Sequence, residues 1–248
     1  MTNLAALPFL PDAVIFDMDG LMIDSERVSV ACWSQATEEF GLALERSFFL
    51  GMVGFGDRDC RAMLRQHVPE DAQIDAITER CHVLYEERTH AGLPLRPGIV
   101  ELLELLKTHG IPRAVATSTR QPRADRKLDA AGLLPYFHAV VTSSDVARPK
   151  PAPEIYLLAA QRLGHAPARC LALEDSPAGI RAALGAGMTA IQVPDLVHPD
   201  QALRALGHRI AGSLHDVRQL LLPWLGTEAG SSKRDSGLIE ADTAPLSL

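Results

Sequence analysis

After residue 92 the chain alternates short apolar runs with amphipathic stretches of helical period, and this alternation restricts its fold more than any other feature. The runs at 113–118, 137–143, 170–175 and 188–193 have the length and β-branched content of buried strands. Between them, apolar residues recur at helical spacing in 99–110, 122–132, 153–164 and from Pro177 to about 185–187. Gly110, Gly132 and Gly164 end three of these helices, and Ser176 followed by Pro177 is the signature of a helix start. One further apolar run, 12–17, lies far upstream and ends before the turn-forming Gly20. Strands joined through helices of about 10–12 residues run parallel with right-handed crossovers. The expected fold is therefore α/β, a doubly wound parallel sheet with a Rossmann-like core.

The first strand is separated from the others by a region of different character. The stretches 27–41, 57–68 and 71–92 all carry helical spacing, and no buried strand is visible among them. This predicts an all-helical cap over 24–92, inserted into a discontinuous core of 11–23 and 93–226. Trp33 and Phe40, seven apart, are expected in the core of the cap. A last helix at 214–225 is expected to pack on the outside of the core. From 227 to 248 the chain is small, polar and without periodicity, which predicts a disordered tail.

Composition narrows the functional classes. With 47% hydrophobic and 22% charged residues the chain reads as an ordinary globular protein. Its 24 basic against 31 acidic residues, net −7, argue against a nucleic-acid or acidic-membrane surface. No apolar run approaches the ~18 residues of a membrane span. The N-terminus lacks the basic start of a signal peptide and is interrupted by Pro8 and Pro11. The four cysteines are scattered, with no CxxC pair, so reduced thiols and a cytoplasmic location are expected. The nine histidines form no metal-binding cluster. Nothing marks an assembly, and a monomer is expected.

In an open parallel sheet, ligands bind beyond the carboxyl ends of the strands. The strand ends here carry Asp17-Met18-Asp19-Gly20, Thr117-Ser118-Thr119, a loop with Arg148 and Lys150, and Glu174-Asp175-Ser176. Side chains two apart in an extended segment share a side, so Asp17 and Asp19 can flank one group. Four carboxylates at one site raise one another's pKa unless a cation holds them ionised. An oxygen-rich, nitrogen-poor ligand set suits Mg²⁺, which usually keeps waters and a substrate phosphate. Thr117 and Ser118 offer hydroxyl and amide donors where a phosphate would sit, and Lys150 adds positive charge. A carboxylate beside an electrophilic phosphorus can form an aspartyl phosphate, and a second can move the protons.

These residues resemble a known family. "DMDGLMIDSE" is similar to the DxDGxxxDSE motif of the haloacid dehalogenase-like superfamily, and "VATS", "KPAPEIYL" and "LEDSPAGIRAALGAGM" resemble its second, third and fourth motifs, in order. The likeness is to the branch with a helical cap after the first motif, which contains β-phosphoglucomutase-like sugar-phosphate phosphatases. It implies that Asp17 is the nucleophile and Asp19 the general acid/base. It also implies Mg²⁺ on the Asp17 side chain, the Asp19 backbone carbonyl and Asp175, with Glu174 in or beside the shell. Thr117 and Ser118, with Thr119 beside them, would bind the phosphoryl group, and Lys150 would neutralise it.

Two positions depart from the pattern. Pro149 precedes the lysine where many relatives carry Gly, and Asp57, with Arg58 beside it, stands where β-phosphoglucomutases keep a phosphate-gripping Arg. Arg58 and Arg61 read as solvated helix charges or, alternatively, as substrate contacts. Thr117 and Ser118 can equally cap the following helix. Asp24 and Ser25 read as the hinge and the first cap of the insert. The expected function is hydrolysis of a small phosphorylated metabolite, a sugar or polyol phosphate. A phosphosugar mutase and a non-catalytic metabolite-binding regulator are the alternatives, with a dehalogenase further off.

Overall fold

The computed structural model describes residues 6–53, 57–90 and 92–225, so the tail expected at 227–248 lies outside the described residues. Six parallel strands form one sheet: β1 (Ala13–Phe16), β2 (Arg113–Thr117), β3 (Ala139–Thr142), β4 (Cys170–Glu174), β5 (Thr189–Gln192) and β6 (Arg209–Ile210). Their order is β3-β2-β1-β4-β5-β6, so β1 is flanked by β2 and β4 and the connections reverse direction there. The first five strands match the sequence reading. β6 has two residues, too few for an alternating pattern to register, and only its pairing with β5 makes it a strand.

Alternate residues of the strands build the two layers. Val14, Phe16, Val115, Leu171, Leu173 and Ile191 face one cluster, which includes Leu102, Leu103 and Leu106 of α5 (Ile99–Thr108). The opposite face carries Ile15 among Ala13, Ala114, Ala116, Ala172 and Ala190, and the five alanines let the covering helices lie close.

The helical insert comprises α1 (Ser25–Glu39), α2 (Arg46–Leu50), α3 (Asp57–Leu64) and α4 (Asp71–Thr89), and precedes α5. After it come α6 (Arg123–Ala130), α7 (Glu154–Leu163), α8 (Pro177–Gly185), α9 (Gln201–Arg204) and α10 (Leu214–Leu225). α7 and α8 cover the alanine-lined face, while α10 packs on α5 through Leu214, Val217 and Leu221. α2 and α9 are too short for periodicity to reveal. None of the described helices is long and apolar enough to cross a membrane. All four cysteines are free and buried.

The insert has its own apolar cluster, built around Trp33, Phe49, Leu64, Ile74 and Ile77, and α1 packs mainly on α4. Phe40 does not join it. It is 38% exposed, because it caps the C-terminus of α1 and helical spacing no longer sets its direction. Arg61 pairs with Asp75 on the outside of the insert, a solvated contact as expected.

The two crossings between core and insert run side by side. Ile23 bridges Leu95 antiparallel, Asp24 N–H donates to Pro94 O at 2.8 Å, and Arg96 N–H donates to Met22 O at 2.9 Å. Asp24 sits at the N-cap of α1 without capping it; its carboxylate pairs with Arg27 instead. A buried acid of the core, Asp195, ties both crossings down. It meets Arg27 Nη1 at 2.6 Å and Arg96 Nη1 at 2.7 Å. Burial raises the Asp195 pKa despite the two arginines, so this carboxylate is strained by desolvation and depends on both partners. Asp195→Ala leaves Arg96, whose side chain is 15% exposed, without its counter-charge. We expect a loss of about 1–2 kcal/mol in urea unfolding, the smaller end of buried-pair costs because Arg27 is half-solvated.

Candidate active site

The carboxyl ends of β1, β2 and β4 lie together because Phe16 pairs with both Val115 and Leu173. Asp17 therefore emerges beside Ala116 and Glu174. Lys150, from the loop between β3 and α7, reaches across all three strands. Its Nζ donates to Asp17 Oδ1 at 2.5 Å, to Ala116 O at 2.9 Å and to Glu174 Oε1 at 2.6 Å. An ammonium has three protons, and each is directed at one of these oxygens. Its side chain is 4% exposed, and the two acids hold its pKa above the ordinary lysine range against the opposing effect of burial.

Glu174 is fully buried, and its carboxylate is saturated. Oε1 also accepts from Tyr156 Oη at 2.8 Å, and Oε2 accepts from Ser176 N–H and Ser176 Oγ at 3.1 and 2.9 Å. Ser176 does a second job, since its Oγ accepts from Gly179 N–H at 3.1 Å and caps α8 as the sequence predicts. Gly179 has a steric role: a Cβ there would stand 1.7 Å from Glu174 Oε1. Gly20, at φ +82°, is similarly constrained, as its Cβ would lie 2.3 Å from Asp175 Oδ2.

Asp19 belongs to a different set of contacts. Lys127 Nζ on α6 donates to its Oδ1 at 2.5 Å, as does Ser25 Oγ at 2.5 Å, and Thr119 Oγ1 donates to Oδ2 at 2.6 Å. Burial works to raise the Asp19 pKa, but the charge of Lys127 and these three hydrogen bonds bring it below the usual value. Asp17 and Asp175 shift the opposite way. Burial raises Asp17 most and the Glu174 charge adds to it, outweighing Lys150. Burial, then the charges of Asp17 and Glu174, raise Asp175.

Oxygens of Asp17, Glu174 and Asp175 lie within 4.8 Å of one another. Lys150 ion-pairs with Asp17 and Glu174 but not with Asp175, so this trio holds more negative charge than the lysine compensates. An all-oxygen set with excess negative charge fits a hard divalent cation such as Mg²⁺. Glu174 already accepts from Lys150, Tyr156 and Ser176, which leaves Asp17 and Asp175 as the carboxylates with capacity to spare.

The structure redistributes several expected residues. Thr117 is buried at the end of β2, and its Oγ1 accepts from Thr119 N–H at 3.0 Å, so its own hydroxyl proton stays available. Ser118 is exposed. Ser25 spends its hydroxyl proton on Asp19 rather than on a helix cap, which corrects that reading, and the Thr119 hydroxyl is likewise directed at Asp19 in this structure. Arg58 is exposed on α3, and no described contact joins it to the acids. Lys127 and Tyr156 were missed, because each is one polar position in an ordinary amphipathic helix.

Gly179→Ala forces Glu174 and its donors apart. We expect it to cost about 1–3 kcal/mol or more in thermal or urea unfolding. Gly185→Ala is the control in the same helix. Its Cβ meets only Pro153, at 3.6 Å and beyond, so stability should hold or rise by about 0.5–1 kcal/mol.

Comparison with known proteins agrees with this arrangement. Residues 11–187, well over half of the chain, match the haloacid dehalogenase-like hydrolase family. The chain is 36% identical over 182 residues to hexitol phosphatase A of Escherichia coli, covering 72% of this chain and 81% of the relative. It is 32% identical over 180 residues to a phosphorylated carbohydrates phosphatase of Thermotoga maritima, covering 73% and 83%. A family hydrolase from Deinococcus radiodurans, solved with bound phosphate and sodium, superposes with a TM-score of 0.73 at 33% identity, covering 86% and 95%. With its four motifs in order and a six-stranded sheet that gathers them at one edge, the chain belongs to the haloacid dehalogenase-like hydrolase family.

Proposed function

We propose that this chain is a Mg²⁺-dependent phosphatase that hydrolyses a sugar or polyol phosphate through an aspartyl phosphate on Asp17. One observation carries the reading: a buried carboxylate at a strand end, held 2.5 Å from an ammonium that is itself fixed by three acceptors. Such an arrangement orients a nucleophile and keeps positive charge where a phosphoryl group gains negative charge. The relatives named as hexitol and carbohydrate phosphatases support the substrate class.

The chemistry divides between the two acids. A carboxylate oxygen of Asp17 attacks phosphorus, and the bond from phosphorus to the ester oxygen breaks. The leaving alkoxide takes the proton that Asp19 received from water in the preceding turnover, and Asp19 becomes a carboxylate again. Lys127, Ser25 and Thr119 favour that ionised form, which is the form needed next. A water then attacks the phosphorus of the aspartyl phosphate and gives its proton to Asp19, releasing Asp17 and inorganic phosphate. The Thr117 hydroxyl and the Ser118 amide bind the phosphoryl oxygens, and Lys150 supplies the fixed charge. Mg²⁺, held by Asp17, the Asp19 backbone carbonyl and Asp175, would neutralise further phosphoryl charge and keep Asp17 ionised. The helical insert, whose first residue Ser25 bonds to Asp19, would cover this edge and exclude bulk water when substrate binds.

A mutase must grip a second, distal phosphate from the cap. At the relevant position Asp57 pairs with His82 Nε2 at 3.1 Å, so the cap presents an acid there instead of a cation. This favours hydrolysis.

Phosphate release from a panel of sugar and polyol phosphates should require Mg²⁺ and stop with chelator. Asp17→Asn should lower kcat by roughly 10³-fold or more. Release that survives both treatments contradicts the mechanism, and tight binding of an ester without turnover would identify a regulator.

The raised Asp17 and Asp175 make metal binding pH-dependent. Their folded pKa values lie above the unfolded value of 3.8, so their contribution to stability is complete below that value. It is lost as pH rises through the folded values, and the metal-free protein carries that penalty at neutral pH. A divalent cation binds the ionised form, so Mg²⁺ should raise Tm more at pH 8 than at pH 5. Equal shifts at both pH values, or none, would count against metal binding by these acids.

A further inference from the structure

Tyr85 on α4 is a side chain in which the insert and the core meet. Its ring packs both against the apolar cluster of the insert and against the cluster on the α5 face of the sheet. Its hydroxyl is buried, and among the described residues Lys127, whose ammonium is already directed at Asp19, is the group that approaches it as a hydrogen-bond partner. A buried hydroxyl so incompletely served opposes folding, and phenylalanine would fill the same space without that cost. The position therefore retains a polar atom whose hydrogen-bonding capacity the unliganded fold leaves largely unused.

The surroundings of that atom indicate its use. The charged groups acting on the Tyr85 hydroxyl are Lys127, Asp19 and Arg123. It thus stands beside the expected acid/base, on the side where the leaving group departs. Lys127 cannot serve it fully, since its Nζ is directed at Asp19 Oδ1 at 2.5 Å. The Arg123 guanidinium lies 5.9 Å from the Tyr85 ring centroid, a cation–π contact that holds the ring from the core side. Burial raises the tyrosine pKa, so the group is a neutral phenol able to donate and to accept.

We propose that the Tyr85 hydroxyl is the group by which the cap reads the leaving part of the substrate. It exchanges a hydrogen bond with an alcohol hydroxyl near the phosphate ester while Asp19 serves the ester oxygen. This rests on the phosphatase reading and deepens it, since it selects polyhydroxylated phosphate esters over aryl phosphates. Sites built to bond a hydroxyl discriminate strongly against analogues that lack one, because the site's own polar group is then left unpaired.

The test compares wild type with Tyr85→Phe on two substrate sets in the presence of Mg²⁺. One set is glucose 6-phosphate, sorbitol 6-phosphate and fructose 1-phosphate; the other is phenyl phosphate, which has no alcohol hydroxyl. The variant should lose about tenfold or more in kcat/KM on the hydroxylated substrates that wild type cleaves, and change less than about twofold on phenyl phosphate. Its Tm should be unchanged or higher, because a merely structural hydroxyl would lower Tm when removed. Equal losses on both sets, no loss on the hydroxylated set, or a lowered Tm overturns the proposal. Wild type that cleaves phenyl phosphate but no hydroxylated ester also overturns it, and leaves the phosphatase reading standing. Wild type that cleaves no ester overturns that reading, and this one with it.

Discussion

The Lys150 ammonium is the interaction on which the rest of the site depends. It connects the side chain of Asp17 on β1, the backbone of Ala116 on β2 and the side chain of Glu174 on β4. No two of these groups are near in sequence, and without a cation between them the buried acids would repel one another. The supporting shell is built around this point. Tyr156 and Ser176 fill the remaining lone pairs of Glu174, and Gly179 leaves room for it. Glu174 thereby reads as the residue that positions Lys150, while Asp175 keeps an uncommitted carboxylate facing Asp17.

Asp17 and Asp19, two residues apart, end in opposite electrostatic states. Asp17 shares its cation with Glu174 and is crowded by like charge, so its pKa rises. Asp19 has Lys127 and two hydroxyl donors, so its pKa falls. Neither state belongs to the DxD motif as such. Each is imposed by elements far along the chain, which is a common way to assign different tasks to adjacent carboxylates.

Much of this was legible beforehand, for identifiable reasons. Strands β1 to β5 are continuous apolar runs because both faces of a parallel sheet are covered. The site lies at their carboxyl ends because crossovers reverse beside β1. Asp17, Lys150 and Asp175 therefore meet as strand-end reasoning expects. Short elements such as α2, α9 and β6 carry too few residues for any period. Ser25 was misread because a hydroxyl near a helix start most often caps it, and only the fold shows that it and Thr119 both face Asp19. Lys127, Tyr156 and Tyr85 sit in amphipathic helices, where one-dimensional spacing tells which side is buried but not what lies against it.

The sequence by itself determined the parallel sheet, the helical insertion after β1 and the set of residues at the sheet edge, because periodicity and chain order are local properties. Tertiary structure alone decided which cation serves which acid, that Glu174 is saturated while Asp175 is not, and that the Tyr85 hydroxyl is buried between insert and core beside a lysine already committed to Asp19. Those outcomes depend on distances between residues as much as 133 positions apart, as in the pair of Asp17 and Lys150, and no local pattern encodes them.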